Sequence, residues 1–338
     1  MRASLPTTDR GAGRLRTWHE ASALTVAVPF ALLPGGWLLV ESPALPTSLS
    51  PPRDLADPDS RFARLAGIDV HHKVAGHPDG PTVLLFHHFH GNVATWRHVL
   101  GGLADDHHVA AFDRPGFGLS ERPVPNGRGP EDPYARATSV RIALELLDDL
   151  DAPQAVLVGS SAGGTIALET YAAAPERVRA LVLLSPAITG DIGPPEQFRP
   201  LLRSAPVRLL APRLIERLAG ELTLERVTRS WHDPSSATSD DVDAYARPLR
   251  VEGWQHGYLG IFSADEPPNL RALLPRIDVP TLVVSGAFDR IISPQSNRRT
   301  AAAIPNARFE VLPACGHTPQ EECPDQLLEL VRGFLAEL

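Results

Sequence analysis

An apolar run, Ala155-Val156-Leu157-Val158, passes directly into Gly159-Ser160-Ser161-Ala162-Gly163-Gly164, and Thr165 to Tyr171 follows with helical spacing. A strand feeding a helix through Gly-x-Ser-x-Gly leaves few folds open. The serine sits on a sharp turn that exposes its hydroxyl at the top of a sheet. Such a turn strains the backbone of its central residue. Side chains at positions 159 and 163 would collide with the neighbouring strand and helix, which is a physical reason for glycine at both.

The segments around this turn support a sheet. From residue 61 onward, strand runs alternate with helical patterns, the signature of a mostly parallel sheet covered on both faces. Arg61 to Val74 reads as an opening hairpin turning at Ala66-Gly67. Thr82–Phe86, His108–Phe112, Ala155–Gly159, Ala180–Leu184 and Thr281–Ser285 read as short, largely apolar strands, and Phe309-Glu310-Val311-Leu312 resumes the strand pattern. Helices are expected from Trp96 to Leu103, Tyr134 to Leu150 and Asp325 to Leu338. Between residues 187 and 265 the pattern changes to helical pieces (201–218, 240–250) broken by proline, glycine and serine. That stretch reads as a helical lid inserted after the sixth strand, lying over the strand ends where ligands bind. The expected organisation is a core from 61–186 and 266–338, a helical cap over 187–265, and an N-terminal region over 1–60.

The N-terminal region supports two readings. Residues 21–40 carry no charge, are long enough to cross a bilayer, and follow Arg2, Arg10, Arg14 and Arg16. They read as a membrane anchor or export signal. Pro29, Pro34 and Gly35-Gly36 would interrupt a spanning helix, so a soluble arm packed on the body is the other reading. Residues 42–60 read as a proline-rich linker in both cases. The net charge of −8 argues against nucleic acid as a partner. The only cysteines, Cys315 and Cys323, do not indicate a disulfide framework and lack zinc-site spacing.

A serine hydroxyl needs a base, and the base needs a carboxylate to orient it. Both follow strand runs downstream. Asp289 lies just past Leu282–Ser285 on a glycine-containing loop, and His317 lies just past Val311-Leu312. Ser161, Asp289, His317 is the chain order that a serine turn on this kind of sheet requires.

These segments, with Val83 to Trp96 and Phe112-Asp113-Arg114-Pro115-Gly116-Phe117-Gly118-Leu119-Ser120, resemble the α/β-hydrolase superfamily in its cap-bearing branch. The resemblance covers roughly residues 62–338. The order of apolar segment, proline-rich linker and body is also similar to membrane-tethered bacterial hydrolases of this group. It implies an oxyanion hole built from the backbone N–H groups of Phe89 and Ala162, the latter at a helix start that favours negative charge. Relatives usually carry His-Gly after the third strand, whereas this chain has His87-His88, a departure that puts the loop's geometry in question. A frame shifted to His90-Gly91-Asn92 would restore His-Gly but moves the donor away from the strand end. Asp113 and Arg114 are expected to organise the loop behind the site.

The implied activity is carboxylesterase-like hydrolysis through an acyl-enzyme, acting on small to medium apolar esters in a pocket under the lid. His88, Ser160 and Trp254 are candidate pocket residues, although Trp254, Tyr258 and Phe262 also suit plain packing. Carbon–carbon bond hydrolases, lactonases, thioesterases and perhydrolases share the triad and stay open. So does a ligand receptor with vestigial catalysis, because fold does not fix function. A serine at the turn argues against dehalogenases and epoxide hydrolases. No cofactor is expected. His88-x-His90 has no second ligand cluster to make it a metal site, and His71, His72, His107 and His108 read as surface or structural.

Overall fold

The computed structural model describes residues 49–123, 131–188, 204, 207, 229–264 and 269–338, apart from the side chain of Phe262. The segment 21–40, residues 42–48 of the linker and the helical piece at 201–218, apart from residues 204 and 207, lie outside the described residues. Among the described residues no helix is long and apolar enough to cross a membrane.

Eight strands form one sheet: β1 (Arg61–Leu65), β2 (Ile68–Gly76), β3 (Thr82–Phe86), β4 (His108–Phe112), β5 (Ala155–Ser160), β6 (Val178–Leu184), β7 (Thr281–Gly286) and β8 (Ala307–Leu312), in the order β1-β2-β4-β3-β5-β6-β7-β8. β1 and β2 pair antiparallel through a two-residue turn in which Ala66 and Gly67 both have positive φ, as a tight hairpin requires. β2 pairs antiparallel with β4, and the remaining pairings are parallel.

The apolar runs are short because each crosses the sheet once, and unbroken because both faces are covered. Alternate residues enter two separate cores. Leu84, Phe86, Leu157, Leu181 and Leu183 pack with Ile142 and Leu146 of α2 (Arg136–Asp149) and Ile166 and Leu168 of α3 (Ala162–Ala173). Val83, Leu85, Val156, Val158 and Val182 pack on the other face with Leu103 of α1 (Leu100–Ala104) and a C-terminal helix carrying Leu327, Val331 and Phe334. Each fully buried side chain of this size contributes about 2 kcal/mol over exposure. α1 and α3 therefore leave neighbouring strands β3 and β5 toward opposite faces. This opens the crevice at the strand ends where ligands bind in open α/β sheets.

Between β6 and β7 the described chain holds α4 (Ser239–Ala246), a 3-10 turn (Arg247–Arg250) and α5 (Trp254–Ala264). After β7 come α6 (Pro294–Ala302), then β8, the one-turn α7 (Pro319–Glu322) and α8 (Pro324–Leu335). α4 starts at a capping box in which Thr238 and Asp241 satisfy each other's backbone N–H groups.

Two features go beyond the sequence reading. Residues 49–60, the described part of the 42–60 segment, are folded onto the body. Ser50 forms a β-bridge with Val251, and Asp57 takes ion pairs from Lys73 and Arg247, both at 2.7 Å. Cys315 and Cys323, whose number and spacing do not indicate a disulfide framework, form a single disulfide. The loop after β8 turns back within eight residues, which brings two buried sulfurs together. Closing so short a loop is worth ~2–3 kcal/mol. Cys315→Ser should therefore lower the unfolding free energy by about that much. Urea titrations with and without reductant check this, since the wild type should lose the same increment on reduction.

Candidate active site

Ser161 is the N-cap of α3, with φ +50° and ψ −114°, the strained backbone expected of a residue forced into a strand-to-helix turn. The glycines show why the turn can close. A Cβ on Gly159 would lie 2.6 Å from the Gly164 backbone, and one on Gly163 would lie 2.0 Å from the Phe86 carbonyl oxygen. The same approach sets the start of α3 against the loop leaving β3. The Ala162 N–H heads that helix, among the donors a helix leaves without an intrahelical partner.

On the neighbouring strands, Asp289 follows β7 and His317 follows β8. The His317 Nδ1 lies 2.8 Å from Asp289 Oδ2. An ionised carboxylate only accepts, so Nδ1 carries a proton, and in the neutral ring this leaves the lone pair on Nε2. Burial pushes the Asp289 carboxyl up. The hydrogen bond and charge of His317, together with the Ile292 N–H and Ser185, outweigh it and hold the group below 3.8. The carboxylate is fixed further by the Ile291 and Ile292 N–H groups at 2.8 and 2.9 Å. The His317 N–H donates to the Ser230 carbonyl, which ties the base loop to the chain before α4.

Ser161 joins this group through its backbone. Its N–H donates to Leu184 at the end of β6 (2.8 Å), and Ser185, the next residue, reaches Asp289. Among the described contacts its hydroxyl makes no hydrogen bond to His317. Catalytic bonds of this kind are often long until substrate is bound.

The loop after β3 is built around buried polar groups. The Asp113 carboxylate accepts from the Val93 N–H (2.6 Å), the Leu119 N–H (2.7 Å) and His71 Nδ1 (2.7 Å). Arg114 Nη2 donates to the carbonyls of His87 (3.3 Å) and His88 (3.2 Å). Both residues thus organise the loop, as the sequence led us to expect. Burial lowers the Arg114 guanidinium to about 10. Phe89 lies in an aromatic cluster with Phe117 (5.7 Å between centroids) and His90, which contacts Tyr258 (4.7 Å).

The remaining predicted pocket residues separate. His88 is buried against Tyr245 of α4. Ser160 is fully buried, and its Oγ has no hydrogen-bond partner among the described residues. Trp254 packs with Leu249 and Tyr258 inside the region between β6 and β7, 1% exposed, so its place is a packing one. His71, His72 and His108 are buried and not at the surface. Ser185, Tyr245 and Glu321 went unremarked in the sequence because no motif marks them; a register argument past β6 would have reached Ser185 alone.

Burial, followed by the charge of Arg114, pushes the His87 imidazole well below 6.5. Below pH 6.5 the unfolded chain takes up a proton that folded His87 refuses, so stability rises with pH there and falls on acidification. His87 should contribute a slope of up to ~1.4 kcal/mol per pH unit downward from pH 6.5. Urea unfolding of wild type and His87→Asn between pH 7.5 and 5 checks this, with a shallower slope expected in the variant.

The alpha/beta hydrolase fold family matches residues 81–324. The chain belongs to this superfamily of enzymes. It is 32% identical over 290 residues to a 2-hydroxymuconate semialdehyde hydrolase of Pseudomonas sp. (strain CF600), covering 80% of this chain and 92% of the relative. The enol-lactonase structure from Burkholderia xenovorans LB400 superposes with a TM-score of 0.65 at 25% identity, covering 82% of this chain and 100% of that one. A thermophilic esterase from Thermogutta terrifontis shares the fold, with a TM-score of 0.67 at 23% identity over 82% of this chain and 98% of the other.

Proposed function

We propose that this protein is a serine hydrolase that cleaves a carboxylic-ester-type bond through a covalent acyl-enzyme. The observation that supports this most is the strained Ser161 turn at one strand end, with the bonded Asp289–His317 pair two and three strands away on the same sheet edge. In this reading Ser161 Oγ attacks the ester carbonyl while His317 Nε2 takes its proton, and Asp289 holds the ring in the tautomer that leaves Nε2 free to do so. The oxyanion that develops is held by the Phe89 and Ala162 N–H groups, the second reinforced by the positive end of α3. His317 then protonates the leaving alkoxide. Water attacks the acyl-enzyme with His317 as base, releasing the acid and restoring Ser161. The chemistry requires no cofactor.

The aromatic cluster of Phe89, Phe117 and Tyr258 beside the loop supports a small to medium apolar acyl group as substrate. A second reading on the same residues is favoured by the comparisons: hydrolysis of a carbon–carbon bond by the 32% identity to the semialdehyde hydrolase, and of a lactone by the likeness to the enol-lactonase. A panel of p-nitrophenyl esters of increasing chain length, simple lactones and vinylogous diketones separates them. We expect the highest kcat/KM on short or medium esters; preference for the diketones by tenfold or more would replace the first reading with the second.

A further inference from the structure

The family's usual glycine after the third-strand histidine is His88 in this chain, and its imidazole is fully engaged. Nδ1 lies 2.9 Å from the Phe89 carbonyl oxygen. A carbonyl only accepts, so Nδ1 donates. The preceding carbonyl, that of His88 itself, accepts from His87 Nδ1 (2.7 Å), the Gly91 N–H (3.0 Å) and Arg114 Nη2 (3.2 Å). Both carbonyls flanking the Phe89 N–H are therefore pinned. In a trans peptide the N–H points opposite to the C=O, so pinning the His88 carbonyl aims the Phe89 N–H. The other ring nitrogen, Nε2, reaches outward to Tyr245 Oη on α4 (3.2 Å) and to Glu321 Oε2 on α7 (3.5 Å).

Tyr245 Oη donates its one proton to Glu321 Oε2 at 2.5 Å, so toward His88 it accepts, and the bond between them has Nε2–H as its donor, directed at the fully buried Glu321 carboxylate beyond. Arg97 Nη1 holds the other carboxylate oxygen at 3.5 Å, and Arg97 also pairs with Asp241 of α4. Asn92 Nδ2 donates to the Ala244 carbonyl at 2.7 Å. Glu321 sits one turn past His317. Three elements thus meet at one imidazole: the loop after β3, α4 from the region between β6 and β7, and the short helix that follows the base.

We propose that Tyr245 is a positioning residue: acting through His88, and anchored by Glu321, its hydroxyl clamps the loop after β3 beneath α4 so that the Phe89 N–H is held where the oxyanion forms. This rests on the acyl-enzyme reading above and deepens it. A histidine replaces glycine here because the loop is fixed by a side-chain bond to the region covering it, not by backbone fit alone. Loosening the clamp moves one oxyanion donor without removing it, and misplacement of about 1 Å costs up to about 100-fold in rate.

The test is a double-mutant cycle on Tyr245→Phe and His88→Gly. Tyr245→Phe keeps the ring and removes only the hydroxyl. We expect kcat on a short p-nitrophenyl ester to fall roughly 10- to 100-fold with KM changed less than about threefold. In the His88→Gly background the same substitution should change kcat by less than about twofold, because the residue it acts through is gone. Multiplicative effects, or a Tyr245→Phe enzyme with full kcat, overturn the clamp. A purely structural role would lower the unfolding midpoint while leaving kcat of the folded fraction intact, and that result also overturns it. Should the wild type hydrolyse no ester, the rate of fluorophosphonate labelling at Ser161 reads the same cycle. If Ser161 is not labelled either, the acyl-enzyme reading fails. The clamp is then judged by urea unfolding of the four proteins, where additive stabilities refute the Tyr245–His88 contact.

Discussion

Ser161→Ala should abolish hydrolysis of short-chain p-nitrophenyl esters, lowering kcat by about 10,000-fold or more while leaving the unfolding midpoint within a few degrees of wild type. In the proposed mechanism this hydroxyl is the group that forms the acyl-enzyme. Its loss costs the covalent route but not the packing, because Ser161 is held by backbone bonds to Leu184, Gly164 and Ala187 that alanine retains. The φ of +50° strains alanine as much as serine. Steady-state rates above the spontaneous background, with circular dichroism as the folding control, check this. Equal rates in wild type and variant would reject Ser161 as nucleophile and leave the receptor reading in its place.

His317→Ala should be as damaging as Ser161→Ala, and the double variant no worse than either, because nucleophile and base act as a unit. Asp289→Asn should be milder. Asparagine preserves the packing but can present its N–H₂ to the ring, which favours the tautomer with no lone pair at Nε2. If Asp289→Asn keeps full activity, another carboxylate orients the base.

The sheet was legible in the sequence because its signal is local. Each central strand is buried on both faces, so it appears as an unbroken apolar run that needs no knowledge of its neighbours. Ser161 and Asp289 were legible for a related reason, since each follows such a run; His317 follows β8, a half-exposed edge strand carrying Arg308 and Glu310, and was found by chain order, while the topology carries all three to one edge. The alternation of Leu157 with Val156 and Val158 between two cores was hidden, because an all-apolar strand does not say which helix covers which face. The helix expected from Trp96 to Leu103 became a 3-10 turn (Val93–Trp96) and the short α1. The Asn92 side chain caps the first, and Gly101-Gly102 weakens the second.

The disulfide was not legible because pairing depends on where a loop returns, which cysteine spacing alone does not fix. Residues 49–60 were read as a linker from their prolines, yet Pro52 only starts a 3-10 turn. What holds the segment is the set of ion pairs from Asp57 to residues 16 and 190 positions away. Long-range bonds of this kind leave no periodic trace. The same is true of Tyr245, Glu321 and Arg97, which lie between 76 and 224 positions from the partners that give them a role.

By itself the sequence determined which backbone could form: glycines at 159 and 163 permit a turn that a Cβ would block, and apolar runs of five to seven residues commit the chain to a sheet covered on both sides. Only the tertiary structure decided how the histidine at position 88 is used. A hydrogen bond is set by distance and direction, and the partners of this imidazole come from separate elements brought together only when the sheet and the helices over it have packed.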